Sequence, residues 1–451
     1  MSHAPHAPRT TGIERLRALT PDICQQAIKQ KNPELCAVLT VLEEPRRAAA
    51  GLGGPLDGIP YVLKDVWDTP GIVTTGGSWR HRERIPSEPA HAVTALERTG
   101  AVLLGKSNLC DLAFSAESAN HLMGPVKNPR DFSRTAGGST GGGAAAVASG
   151  MAAFDWGTDF GGSIRSPAAF CGIVGMRLSN DAWPVEQHHF PRLPPLFWPF
   201  CGMGPLARTV LEAAAVTDAL APALRKPGFR TPEMRADEVV VYPPDEAHLG
   251  LWGTFENDAI ALFRAIGVRA ERARLPTPSK TNRLFNAYLA SHFEDFIDGD
   301  ELRLREGMPA VLLGLLARGR LDKRVHPNTG ILLGLTAIGG MTIFRQKHRW
   351  SERLFRFQDA VAAVWKRGHF IATPTTTLLP PKHNRAAFAR GIQSFTKFGN
   401  LVDATAIALP FGTFAGTPLS RSLQILGPPG SEGALLALAA RVEAHLALHT
   451  S

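Results

Sequence analysis

An α/β fold is what this 451-residue sequence predicts, on three observations. Amphipathic stretches at helical spacing alternate with apolar runs of four or five residues, long enough for strands and too short for helices. Hydrophobic residues make up 44% and charged residues 20%, enough apolar material for a sizeable core and too much for a disordered chain. The 44 glycines and 35 prolines exceed the usual share of about 12% but stay below the roughly 25–30% of low-complexity chains, so turns are frequent. At about 150 residues per domain the length allows three domains. No internal repeat or charge run divides the chain, however, and one α/β domain over residues 11–451 is the simplest account.

The elements follow in order. Residues 1–10 are expected to be disordered. From Gly12 to about Ala50, Ile13, Leu16, Leu19, Ile23 and Ile28 predict two or three helices, broken at Asn32-Pro33. Ile59–Leu63 reads as a strand ending at Lys64-Asp65. A helix at about 88–99, carried by His91, Val93 and Leu96, leads into the apolar run Ala101–Leu104. Asp131–Ala136 is polar and loop-like, within a stretch, 124–180, that is dense in glycine and small residues. Residues 181–205, with Trp183, Phe190, Pro194, Pro195, Phe197 and Trp198, predict an irregular insertion. Helices are expected at about 209–221, 255–266 and 345–366. Strands are expected at Val239–Tyr242, Phe370–Ala372, Ala406–Leu409 and Leu423–Leu426.

Composition excludes several classes. Lys and Arg outnumber Asp and Glu by 49 to 40, a net charge of +9, yet the basic residues are scattered with no run of five. That pattern fits a solvated surface rather than a phosphate track, and no nucleic acid is expected as a partner. The cysteines at 24, 36, 110, 171 and 201 form no C-x-x-C pair and leave an odd one over, which argues against a zinc site or disulfide framework and fits a reducing cytoplasm. The first ten residues lack the apolar core of a signal peptide. The most apolar later stretch, Gly330–Phe344, has 15 residues, short of the roughly 20 that span a bilayer.

Two glycine loops carry the chemistry. The first is Gly137-Gly138-Ser139-Thr140-Gly141; the second, whose serine lies 24 residues after Ser139, is Gly157-Thr158-Asp159-Phe160-Gly161-Gly162-Ser163-Ile164-Arg165. A phosphate-binding loop would need Lys then Ser or Thr after its glycines, and alanines follow Gly143 instead. The first loop also matches G-x-S-x-G, the nucleophile elbow of α/β-hydrolases, which would make Ser139 the nucleophile of an esterase. An elbow should follow a buried strand and needs a histidine; His326, His348, His369 and His383 are available, none of them marked. A third feature is Lys64, at the end of an apolar run. A desolvated lysine has a lowered pKa and can act as a general base, although a lone lysine there is more often a snorkelling surface residue.

With Lys64 in view, the sequence resembles the amidase signature family of Ser-Ser-Lys amide hydrolases. The resemblance rests on Gly58-Ile59-Pro60 leading to Lys64-Asp65, on Thr74–Ser78, Gly105–Asn108 and Gly124–Pro129, and on both glycine loops. Cys171–Gly175, Gly204–Arg208, Pro374–Thr376, Asn400-Leu401, Ala408–Pro410 and Leu423–Pro428 follow in family order. It covers roughly 30–210 strongly and 370–445 loosely, leaving a less family-like helical or cap region at about 225–370. The resemblance implies a large mixed twisted β-sheet flanked by helices on both faces. It implies Ser163 as nucleophile, Ser139 as a bridging serine after a cis peptide bond, and Lys64 as base, with no cofactor and no metal. It further implies an oxyanion hole from the backbone N–H groups of Phe160, Gly161, Gly162 and Ser163. Ala113-Phe114-Ser115 resembles the family's pocket wall, so Ala113, Ser115 and Ser139 are the candidate substrate-binding residues.

Asp159 and Arg165 flank the nucleophile loop and read as a structural ion pair. Thr140 stands where the family usually has a second serine, and Val66-Trp67 and Arg177-Leu178-Ser179 also depart from its pattern. These changes bear on substrate, since none removes a catalytic atom. The expected function is cofactor-independent hydrolysis of a small-molecule amide. The alternative is the glutaminase component, or A subunit, of an aminoacyl-tRNA amidotransferase complex. Residues 308–344, apolar and flanked by Arg318, Arg320, Lys323, Arg324, Arg345 and Lys347, read either as core helices or as a cap for a hydrophobic N-acyl substrate or a peripheral membrane contact. A homodimer is left open.

Overall fold

The computed structural model describes residues 11–48, 52–185, 195–292, 326–330, 347–386, 389 and 391–448. The first ten residues, expected from the sequence to be disordered, and most of the 308–344 stretch, apart from 326–330, lie outside them.

α1 (Gly12–Arg17) opens on a capping box between Thr11 and Glu14. α2 (Pro21–Leu35) has Thr20 as N-cap and a proline in its first turn. The break expected at Asn32-Pro33 does not occur there: α2 runs through Pro33 and ends at Cys36, which takes a left-handed φ of 55°. Asn32 organises the exit, its Oδ1 accepting the N–H groups of Ala37 and Val38, both at 2.8 Å. Nor does helix continue to about Ala50. Val38–Arg46 is a strand, β1, whose β-branched start suits a pleated edge better than a helix.

β2 (Pro60–Lys64), α3 (His91–Arg98) and β3 (Val102–Ser107) form a β-α-β unit with parallel strands. β4 (Lys127–Asn128) and β5 (Asp131–Thr135) make a separate hairpin, so the residues expected to be a loop before Ser139 are a short, half-exposed strand. α4 (Gly141–Ala148) follows, then β6 (Phe154–Asp159), α5 (Arg165–Cys171) and β7 (Val174–Arg177). The supposed insertion ends in β8 (Gly202–Ala207), which lies between β6 and β7 in the middle of the sheet. Its Gly-Met-Gly-Pro sequence hides a strand, because proline and glycine are rare inside central strands.

The remaining elements are α6 (Val210–Leu224), β9 (Glu238–Val241), α7 (Phe255–Ala265), β10 (Arg269–Arg272) and α8 (Pro278–Ser291). After them come α9 (Lys347–Trp365), β11 (Phe370–Pro374), α10 (Ser394–Leu401), β12 (Thr405–Thr413), β13 (Ser420–Gly427) and α11 (Glu432–Leu448). The described strands build one eleven-stranded mixed sheet in the order β1-β3-β2-β6-β8-β7-β12-β13-β11-β9-β10. Within the helical or cap region at about 225–370, β9 lies where a strand is expected at Val239–Tyr242, whereas β10 is a strand with no counterpart in the sequence reading, and both join this same sheet.

Helices cover both faces. Alternation along β2 sends Tyr61 and Leu63 into the core shared with α3 and α6, and Val62 into the core shared with α2 and α4. Lys64 continues the Val62 side. α4 packs close enough to its surroundings to require glycine: a Cβ on Gly142 would lie 2.3 Å from the Asn108 carbonyl oxygen and 2.4 Å from that of Ala37. Gly142→Ala is therefore expected to destabilise the protein by about 1–3 kcal/mol, as overpacking does. An unchanged thermal-unfolding midpoint would show that α4 can back away.

Candidate active site

Lys64 ends β2, and its side chain is fully buried. Its Nζ donates to Ser139 Oγ at 2.8 Å, to Thr158 Oγ1 at 2.9 Å and to the Thr158 carbonyl at 3.1 Å, so all three ammonium protons are placed on neutral oxygens. Burial lowers its pKa to about 8, only partly opposed by the neighbouring Cys110, Asp155, Cys201 and Asp159. The Asp155 carboxyl is itself pushed up to about 7 by burial, although Ser107 Oγ donates to it at 2.7 Å.

Ser139 follows a cis Gly138–Ser139 peptide. The Ser118 hydroxyl donates to the Ser139 carbonyl at 3.0 Å and accepts the Gly141 N–H at 2.9 Å, tying the loop to the start of α4. A Cβ on Gly138 would lie 2.7 Å from both the Ser115 carbonyl oxygen and the Glu117 nitrogen, so the 115–117 loop packs directly on the peptide before Ser139. Ala113 precedes that loop at a left-handed φ of 56°. The Thr140 N–H donates to the Ser163 carbonyl at 3.1 Å, which joins the two glycine loops. Ser139 is 1% exposed and Ser163 7%.

The second loop bends around Asp159. Its Oδ1 accepts the Gly162 N–H at 2.9 Å and its Oδ2 the Ile164 N–H at 3.1 Å. Arg165 forms the expected ion pair, Nη2 to Asp159 Oδ1 at 2.7 Å and Nε to Oδ2 at 3.0 Å, with both side chains fully buried. Burial alone would raise the Asp159 carboxyl; the Arg165 guanidinium holds it well below the usual range. Arg165 also donates to the Thr396 carbonyl, Asn400 Oδ1 and Gln424 Oε1 at 2.6–2.8 Å. Gly162 sits at φ 117°, and a Cβ there would lie 2.1 Å from Thr396 Oγ1, so only glycine fits. Of the four backbone donors named from the sequence, Gly162 is thus engaged by Asp159.

Aromatic rings cover the loop. Phe160 meets Phe197 and Phe285 edge-on, with ring centroids 6.0 and 5.9 Å apart. The open side of Gly161 faces Gln393, Phe285 and Lys397, all 3.8–4.0 Å from where a Cβ would stand. α8 and α10 therefore roof the segment that carries Ser163.

Sequence reasoning missed Thr158, Asp155, Ser118 and Lys397. Thr158 lies inside a quoted motif, and Asp155 is an acid interrupting an apolar strand, a usable signal. Ser118 and Lys397 have none. The elbow reading needs a histidine on Ser139, and the bond there comes from Lys64. A Ser–His–Asp chain does exist, from Ser394 Oγ to His248 Nε2 at 2.8 Å and from His248 Nδ1 to Asp245 Oδ1 at 2.7 Å. It anchors the start of α10, and Ser394 is buried. Among the described residues there is no cluster of three or more His, Cys, Asp or Glu able to hold a metal, and no helix long and apolar enough to cross a membrane.

The Amidase family model matches residues 19–436, including the 225–370 region that resemblance alone left out. The A subunit of glutamyl-tRNA(Gln) amidotransferase from Koribacter versatilis is 50% identical over 37% of this chain, and the match spans only 34% of that relative's length. The corresponding protein from Anaeromyxobacter dehalogenans is 30% identical over 93% of this chain and 91% of its own. A solved 6-aminohexanoate cyclic dimer hydrolase with substrate bound superposes with a TM-score of 0.75 at 23% identity, covering 97% of this chain and 94% of that one. A sheet of this order with both glycine loops at its strand ends, matched along nearly the whole sequence, places the chain in the amidase signature family of amide-hydrolysing enzymes.

Proposed function

We propose that the protein hydrolyses a carboxylic amide through an acyl-enzyme on Ser163, with Ser139 and Lys64 as the proton relay. The observation that carries this reading is the 2.8 Å bond between Ser139 Oγ and a fully buried Lys64, whose pKa of about 8 leaves a useful neutral fraction near physiological pH. Neutral Lys64 accepts the Ser139 proton as Ser139 accepts that of Ser163, and Ser163 Oγ adds to the amide carbonyl. The oxyanion is met by the N–H groups of Phe160, Gly161 and Ser163, a preorganised set in which each donor is worth about 3 kcal/mol. On collapse the C–N bond breaks and the relay returns the proton to the departing amine. Water, deprotonated by the same relay, then releases the carboxylic acid.

Ser115 and Ala113 belong to the pocket wall in this reading, and the rings of Phe160, Phe197 and Phe285 favour an amide with an apolar portion. A fluorophosphonate probe followed by peptide mass mapping is expected to label Ser163. A label on Ser139 with Ser163 untouched would overturn the assignment in favour of an elbow-type esterase.

A second reading is the glutaminase component of an amidotransferase complex, favoured by the 30% identity that runs along 91% of one such relative. It predicts no hydrolysis of simple amides by the chain alone, and activity once the companion chains of the complex are added. Turnover by the isolated chain supports the stand-alone amidase.

A further inference from the structure

We propose that Lys397 is a specificity determinant that binds a carboxylate carried by the amide substrate. This deepens the amidase reading above and rests on it.

Lys397 is on α10, one residue after Thr396, whose hydroxyl donates to the Gly161 carbonyl at 2.8 Å. That bond fixes the lysine relative to the nucleophile loop: its Cγ stands 4.0 Å from where a Cβ on Gly161 would be. The ammonium is then held beyond the loop by α8. It donates to Asn286 Oδ1 at 2.7 Å and Asn282 Oδ1 at 3.3 Å, and it lies 5.1 Å from the Phe285 ring centroid. These partners are neutral. No carboxylate among the described residues pairs with it, in a protein whose other buried cations at the site have Asp159 (Arg165), Asp403 (Arg177) or three oxygens (Lys64).

A half-buried cation held by two amides and a ring is only partly compensated, and an arriving anion completes it. The side-chain NH2 groups of Asn282 and Asn286 add neutral donors beside the ammonium, a set suited to one carboxylate. Burial lowers the ammonium to about 8, so most of it is cationic at neutral pH. Phe285 touches both this ammonium and Phe160 of the nucleophile loop, so an apolar surface joins the two points. The substrate that fits is therefore an amide whose carboxylate is separated from the scissile carbonyl by an apolar spacer.

The test uses the full chain and pairs of N-acyl anilides of equal length, ending in a carboxylate or in a methyl group, with the carboxylate on the acyl half and then on the aniline half. Wild type is expected to favour the carboxylate member of at least one pair by about tenfold or more in kcat/KM. Lys397→Gln, which keeps a hydrogen-bonding side chain but no charge, is expected to bring that ratio to about one or below, and Lys397→Glu to invert it. Ser163 labelling by the fluorophosphonate probe reports that each variant is folded. Protection from labelling gives the same comparison without turnover: the carboxylate compounds should slow labelling of wild type more than the neutral ones, and not that of Lys397→Gln. Wild type with no carboxylate preference in either measurement, or a preference that survives in Lys397→Gln, overturns the inference. Ser163-dependent hydrolysis with a flat ratio sinks this inference alone, whereas absence of Ser163 labelling sinks the amidase reading itself.

Discussion

Ser163→Ala is expected to lower kcat on any amide the protein hydrolyses by about 10⁴–10⁶-fold, the scale on which losing a nucleophile is felt when the rest of the site survives. Lys64→Ala is expected to cost about 10²–10⁴-fold, the usual range for a general base. Because both act on one proton path, the double replacement should be no slower than the worse single one. The pH dependence has a definite sign. Lys64 must be neutral to accept a proton, and burial sets its pKa near 8, so turnover should rise as pH climbs through about 8. Steady-state rates between about pH 6 and pH 9 check this. A profile that ignores Lys64→Ala, together with loss of activity on replacing one histidine, would remove lysine from the mechanism.

The second large effect concerns stability. Arg165→Met should destabilise the fold by about 3–5 kcal/mol, because it strands the Asp159 carboxylate in a fully buried site. In wild type the Asp159 carboxyl is held below its ordinary value, so its contribution is complete above about pH 4 and is lost on further acidification. Without the arginine, burial should raise that carboxyl instead, and the variant should lose stability as pH rises. Urea midpoints at about pH 4.5 and 7.5 separate the two signs. Replacing both residues by apolar ones should cost less than the single change, and equal losses would show that the pair does not act as a unit.

Much of this site is legible in the sequence because its chemistry is local. Lys64 marks the end of an apolar run, and each serine lies in a glycine loop between a strand and a helix. The α/β class is legible for the same reason, since helix runs closely into strand at α3 and β3 and again at α4 and β6, even though 26 residues separate β2 from α3. What escapes depends on neighbours distant in sequence. β1 passes for helix because periodicity over so few residues does not distinguish the two. What makes it a strand is its antiparallel partner β3, which begins at Val102, 56 residues after β1 ends at Arg46. β8 is hidden by glycines and a proline that a central position makes unexpected. Lys397 carries no motif, and its meaning appears only where α10 crosses Gly161.

The Arg165 hydrogen bonds reach from the second glycine loop to Thr396, Asn400 and Gln424, between 231 and 259 residues later in the chain. A ribosome delivers Lys64, Ser139 and Ser163 long before these residues emerge. Until they do, Arg165 has Asp159 but no other anchor, and Gly162 has no Thr396 to rest against. The nascent chain therefore carries the three residues of the proposed relay beside an unfinished loop, and the Arg165 anchors are complete only once Gln424 has left the exit tunnel.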